Sequence, residues 1–171
     1  MTNRRVLLID ALNLFMRNYI VDPSLSTNGK PIGGTKGFIK SLQAVCRTIN
    51  PGLIFVAWDG GSQKRKSMDK NYKAGRKPVR LNRDIHNMTA GEQEDNKNWQ
   101  QERIIEYLNE MPILQSYVEN VEADDIIALV SQSQALSEHH KIILSSDKDF
   151  IQLCDDSTIL YRPIQKYFFF F

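Results

Sequence analysis

The chain has 171 residues, a length that suits one domain with a sizeable core. With 42% apolar and 25% charged residues and no apolar run near the roughly 20 residues a membrane helix needs, the composition is that of a globular protein rather than a membrane-spanning or disordered one. Net charge is only +2, but residues 64–83 hold nine Lys or Arg against one acid, a local +8 that leaves −6 for the remainder. That asymmetry fits a polyanion-binding element beside a site that needs carboxylates, although a basic run is also an ordinary solvated face.

Short β-branched runs alternate with helical patterns. Strands are predicted at Val6–Ile9, Leu53–Ala57, Ile113–Val118, Lys141–Leu144 and Thr158–Tyr161. Helical spacing links Phe38, Leu42, Val45, Cys46 and Ile49, then Trp99, Arg103, Ile104, Leu108 and Met111, and it runs again from Ala123 to Leu136. This order predicts an α/β fold, a mainly parallel sheet with helices on both faces. The basic stretch 60–83 and the polar stretch 84–98 fit neither pattern and are expected to form a mobile excursion above the sheet. Cys46 and Cys154 lie in apolar patterns without metal-ligand spacing and read as reduced core thiols. The start is too short for a signal peptide, so a cytoplasmic protein with no membrane partner is expected.

Three aspartates fall just past predicted strands: Asp10, Asp59 and Asp147, with Asp149 two residues further on. Ligand sites of open α/β sheets lie at that edge. Glu122, Asp124 and Asp125 open a predicted helix, where the helix dipole favours negative charge. Singly, each acid is equally a helix cap or a turn residue. Seven together on one edge would repel one another unless cations neutralised them, and an all-oxygen set favours Mg2+ or Mn2+ over zinc. His86, His139 and His140 have no motif-like position. Two such ions about 4 Å apart serve phosphodiester hydrolysis by activating water, holding the scissile phosphate and stabilising the leaving oxygen. A phosphotransfer domain would place a second acid beside Asp10, where Ala11, Leu12 and Asn13 stand.

In the basic segment, Lys66, Lys70, Lys73 and Lys77 are spaced for one helix face, suited to phosphate, with Arg65, Asp69 and Tyr72 as a neighbouring stripe. Tyr72 is placed either to stack on a base or to pack against the body.

The runs Val-Glu-Ala-Asp-Asp-Ile-Ile (121–127), Ser-Ser-Asp-Lys-Asp-Phe-Ile-Gln-Leu (145–153) and Tyr-Lys-Ala-Gly-Arg-Lys-Pro (72–78) resemble the 5′–3′ exonuclease/flap endonuclease family. Leu-Leu-Ile-Asp (7–10), Gly-Lys-Pro-Ile-Gly (29–33) and Ala-Trp-Asp (57–59) follow in matching order, so the likeness covers nearly the whole chain. The resemblance implies a PIN-like catalytic domain over residues 1–171, with a helical arch at about 64–98. It implies one metal site on Asp10, Asp59, Glu122 and Asp124, and a second on Asp125, Asp147 and Asp149. Arg65 would touch phosphate near the scissile bond, and Lys73 and Arg76 would sit at the base of the arch. Mg2+ would be the cofactor, two ions with Mn2+ as a substitute. The substrate would be DNA or an RNA–DNA hybrid with a free 5′ end, in a bacterial or phage-infected cell. The family's helix-hairpin-helix region, with its further aspartates, has no counterpart before Phe171, which raises a separate C-terminal partner as an expectation. A PIN-type ribonuclease and a non-catalytic nucleic-acid-binding remnant are the alternatives.

Overall fold

The computed structural model of the protein describes residues 4–61, 80–163 and 167–169, the last three by their backbone. The chain divides into two compact units, one of Met1–Asn13, Ile49–Lys77 and Ile113–Phe171, the other of Leu14–Thr48 and Pro78–Pro112.

The first unit holds a six-stranded sheet. β1 (Arg5–Asp10), β2 (Leu53–Trp58), β3 (Leu114–Tyr117), β4 (His140–Leu144) and β5 (Thr158–Arg162) are all parallel, in the order β3-β2-β1-β4-β5. All five strands expected from the sequence are present. A sixth, β6 (Tyr167–Phe169), adds antiparallel to β5 with Leu160 opposite Phe169. No strand was expected in that phenylalanine-rich tail; pairing with the open edge of β5 decides it. Val6 to Ile9 are buried on both faces of β1, which explains why this central strand reads as an unbroken apolar run rather than an alternation. Val6, Leu8, Ala57, Ile143 and Leu160 form one cluster with Ala123, Ile126 and Ile127 of α5 (Ala123–Ser131, counting the helices of the described residues in chain order), with Leu136 and Phe150 closing it.

The helix expected from Ala123 to Leu136 is broken. α5 stops at Ser131, whose hydroxyl donates back to the Ala128 carbonyl (2.9 Å), and a short 3-10 turn, η1 (Gln134–Leu136), follows. A polar Ser-Gln-Ser run offers such competing bonds and ends the helix early.

The second unit takes in most of α1 (Ala11–Val21) and α2 (Gly33–Ile49), together with α3 (Arg83–His86) and α4 (Ala90–Asn109). Here residues 84–98 differ from expectation: all but 87–89 lie in helices, with Ile85 and Asn96 buried. Asn82 caps α3 by accepting from the amides of Asp84 and Ile85, and its own amide group donates to Tyr19 O (2.9 Å). Thr89 and Glu92 form a capping box that starts α4. Gln100, fully buried, accepts from Thr35 N (2.9 Å) and donates to Asn96 Oδ1 (2.8 Å), and Asn96 Nδ2 reaches Pro31 O (3.1 Å). The polar composition that suggested an excursion instead supplies a buried amide network. Among the described residues no helix is long and apolar enough to cross a membrane.

Candidate active site

β1 lies at the point where strand order reverses, with β2 on one side and β4 on the other, so the crevice at their carboxyl ends is where an open sheet accepts a ligand. Asp10 ends β1 there. Its Oδ1 accepts from Asn13 N (3.1 Å), capping α1, and its Oδ2 accepts from the buried Ser145 hydroxyl (3.0 Å) just past β4. Burial pushes the Asp10 carboxyl up to about 6; the bonds from Asn13 and Ser145 oppose this, and the charges of Asp147 and Asp124 add to it. Those two acids therefore lie close enough to Asp10 to repel it.

The 145–147 loop is fixed from three sides. Ser145 Oγ accepts from Asp147 N (3.1 Å), Asn13 Oδ1 accepts from Ser146 N (3.0 Å) and Oγ (2.6 Å), and Arg162 donates to Ser146 O (3.1 Å). Asp147 then caps the 3-10 helix η2 (Lys148–Leu153) by accepting from Asp149 N (3.0 Å). Asp124, Asp125, Asp147 and Asp149 together line a cleft of about 210 Å3 with Phe150 and Gln152.

Asp59 follows β2 and accepts from Gly61 N (2.7 Å). The next residue is stitched to the turn before α5: Gly60 N donates to Val121 O and Asn120 N to Gly60 O, both 2.9 Å. A Cβ at Gly60 would stand 1.8 Å from the Val118 carbonyl oxygen, so only glycine fits. This junction ties the loop of Asp59 to Glu122, the residue before α5, which is 4% exposed. Sequence reasoning missed Asn13, Ser145, Gly60 and Arg162. The i+3 spacing of Asn13 from Asp10 and the Ser-Ser before Asp147 were the available signals for two of them; nothing local points to Arg162.

The ordinary reading of the aspartates is also realised. Asp10, Asp59 and Asp147 each accept a nearby backbone N–H, as caps and turn residues do. Among the described residues no three His, Cys, Asp or Glu side chains stand close enough together to chelate an ion. The donor set nonetheless fits a hard divalent cation: it is all carboxylate, and Asp10 is held by burial and like charge in a state that a cation would relieve. Arg65, Lys66, Lys70, Tyr72, Lys73, Arg76 and Lys77 lie outside the described residues.

Fold and site together define an open parallel α/β domain with an acidic carboxyl edge at its switch point. The family model for the 5′-3′ exonuclease N-terminal resolvase-like domain matches residues 5–169, and the chain belongs to that family. It is 30% identical over 155 residues to the flap endonuclease Xni of Shewanella sp. (strain MR-4), covering 87% of this chain and 51% of that protein. It is 29% identical over 153 residues to DNA polymerase I of Borreliella burgdorferi, covering 87% and 15%. The chain thus spans about half, or much less, of the length of these curated relatives. The 5′-exonuclease of phage T5, solved with divalent zinc ions, shares the fold at a TM-score of 0.74 and 18% identity, covering 98% of this chain and 58% of that one. A T5 flap endonuclease structure described as a pseudo-enzyme–product complex with DNA and metal ions gives 0.71 and 16%, with coverage of 98% and 58%.

Proposed function

We propose that this chain is the catalytic domain of a divalent-metal-dependent 5′–3′ exonuclease/flap endonuclease, hydrolysing phosphodiester bonds near the 5′ ends of DNA or RNA–DNA hybrids. The observation that carries the reading is the gathering of carboxylates at the switch point of the sheet, with Asp10 bonded to Ser145 at the foot of the Asp147 loop and Asp124, Asp125, Asp147 and Asp149 lining one cleft, in a chain that belongs to this nuclease family. The T5 relatives, described with metal ions and DNA, support it. In this reading Asp10, Asp59, Glu122 and Asp124 hold one ion and Asp125, Asp147 and Asp149 a second, with Mg2+ the working metal. When bound, such ions supply positive charge against the scissile phosphate and lower the pKa of water. The chain's own residues do the positioning. Ser145 keeps one Asp10 oxygen aimed across the β1–β4 crevice, and Asn13 and Arg162 hold the 145–147 loop so that Asp147 and Asp149 share a cleft with Asp124 and Asp125. In the same reading Arg65, Lys73 and Arg76 serve the 5′ strand, and Lys66, Lys70, Tyr72 and Lys77 add to nucleic-acid binding. The setting is the cytoplasm of a bacterial or phage-infected cell, with replication proteins assisting the grip on duplex.

The test is cleavage of a labelled 5′-flap duplex by the purified chain in Mg2+ or in EDTA, beside Asp147→Ala. Cutting near the flap junction that needs metal and disappears in the variant is the expected result. Equal cutting by Asp147→Ala would sink the site, and a folded wild-type chain that never cuts, with or without added partner, would sink the activity.

A further inference from the structure

The register of β1 with β4 ends at Ile9 opposite Leu144, one residue before Asp10 and three before Asp147. Beyond that point the two chains part, β1 running into α1 and β4 into the 145–147 loop. Strand pairing alone therefore does not fix where Asp147 stands relative to Asp10. Two side-chain joints do so. In the first, the buried Ser145 hydroxyl donates to Asp10 Oδ2 (3.0 Å) and accepts from Asp147 N (3.1 Å). In the second, Asn13 Oδ1 accepts from both Ser146 N (3.0 Å) and Ser146 Oγ (2.6 Å).

The joints differ in what they share with a metal site. The Ser145 joint runs through the Asp10 carboxylate itself, whose electron density must also serve any bound cation. The Asn13 joint bypasses that carboxylate. It runs from an amide oxygen on the first turn of α1 directly to the loop, and two donors use both lone pairs of that oxygen. Arg162 of β5 donates to Ser146 O (3.1 Å), so every polar atom of Ser146 is engaged. Asn13 N also donates to Asp10 Oδ1 (3.1 Å), but that bond belongs to the backbone and survives a change of side chain.

We propose that Asn13 is a positioning residue for one ion of the pair, the one assigned to Asp125, Asp147 and Asp149, because its side chain holds the 145–147 loop while Asp10 is engaged elsewhere. The inference rests on the two-ion reading above. The acids of the other ion, Asp10, Asp59, Glu122 and Asp124, stand at the ends of β1 and β2 and at the start of α5, and none is carried by the 145–147 loop. Loss of the Asn13 side chain is therefore selective: it weakens the ion of Asp147 and Asp149 and spares the other. Residues that orient metal ligands from outside the coordination sphere contribute about 10–100-fold in affinity.

Calorimetric titration of the whole, metal-stripped chain with Mn2+ at constant ionic strength tests this. The wild type should bind two ions, and Asn13→Ala should bind one of them at least about tenfold more weakly, with the other changed by less than about twofold. Ser146→Ala, which keeps the N–H and loses only the hydroxyl donor, should show a smaller loss of the same ion. The double variant should lose no more than Asn13→Ala alone, since the hydroxyl bond is already gone, whereas unrelated structural damage would add. In EDTA, hydrogen exchange at the Ser146 amide should quicken by about tenfold in Asn13→Ala, a readout that needs neither metal nor substrate. Should Asn13→Ala fail to fold, Ser146→Ala decides: a loss confined to one ion upholds the proposal and no loss overturns it. Unchanged binding by Asn13→Ala, equal loss of both ions, or additive losses in the double variant would overturn the proposal and leave the nuclease reading standing. A wild type that binds no ion would overturn both.

Discussion

Asp10 shows how one side chain serves two opposed demands. Its cap to Asn13 and its bond from Ser145 stabilise the carboxylate, yet burial and the charges of Asp147 and Asp124 raise its pKa to about 6 against an ordinary 3.8. A raised folded-state pKa means that the metal-free folded chain holds a proton that the unfolded chain has released between those two values. Stability therefore falls as pH rises from about 4 to 6 and stays lower above that window, by at most about 3 kcal/mol. Asp10→Asn removes the charge and keeps the shape. In EDTA at about pH 8 it should be about 1–3 kcal/mol more stable than wild type by urea denaturation, with the gain gone near pH 4, while flap cleavage is lost. A variant no more stable than wild type at the higher pH would show that Asp10 is not under this strain.

At the scale of elements, caps and buried amides decide where helices stand. Residues 84–98 are rich in Asn, Gln, Asp and Glu, a composition shared by loops and by helices that bury amides, and nothing in periodicity separates the two. The capping box of Thr89 and Glu92 and the Thr35–Gln100–Asn96 network resolve it in favour of helix. Gln100→Leu keeps the volume but strands Thr35 N and removes the donor to Asn96. It should cost about 2–4 kcal/mol in urea denaturation, and a loss below about 0.5 would show that the network is not holding the second unit together. Strands were readable because β-branched runs of four to six residues between turn signals have few other uses. The exceptions are β6, decided by pairing with the open edge of β5, and the break at Ser131, where the local bond from its hydroxyl to Ala128 O competes with the helix.

For the molecule as a whole, a cation bound to the folded chain and not to the unfolded one must raise the melting temperature by mass action, by about 2.7 kcal/mol at a hundredfold excess over Kd. Mg2+ should stabilise the wild type and have much less effect on Asp10→Asn and Asp147→Ala, read by thermal melts with and without EDTA. An equal shift in all three proteins would place ion binding away from the β1–β4 crevice. In this reading the sheet unit carries all seven candidate carboxylates.

The sequence by itself determined the five strands, the α/β class and the placement of acids just beyond strand ends, because strand periodicity and strand-end position are local properties of the chain; the family came from the likeness of its motif runs. Only the tertiary structure decided which acids face one another. Asp10 and Asp147 are brought to one crevice by strand pairing across 137 positions of sequence, and Asp59 is joined to Glu122 by backbone bonds at Gly60. The roles of Asn13, Ser145 and Arg162 likewise follow from long-range packing, since hydrogen-bond supply is set by whatever the fold places alongside.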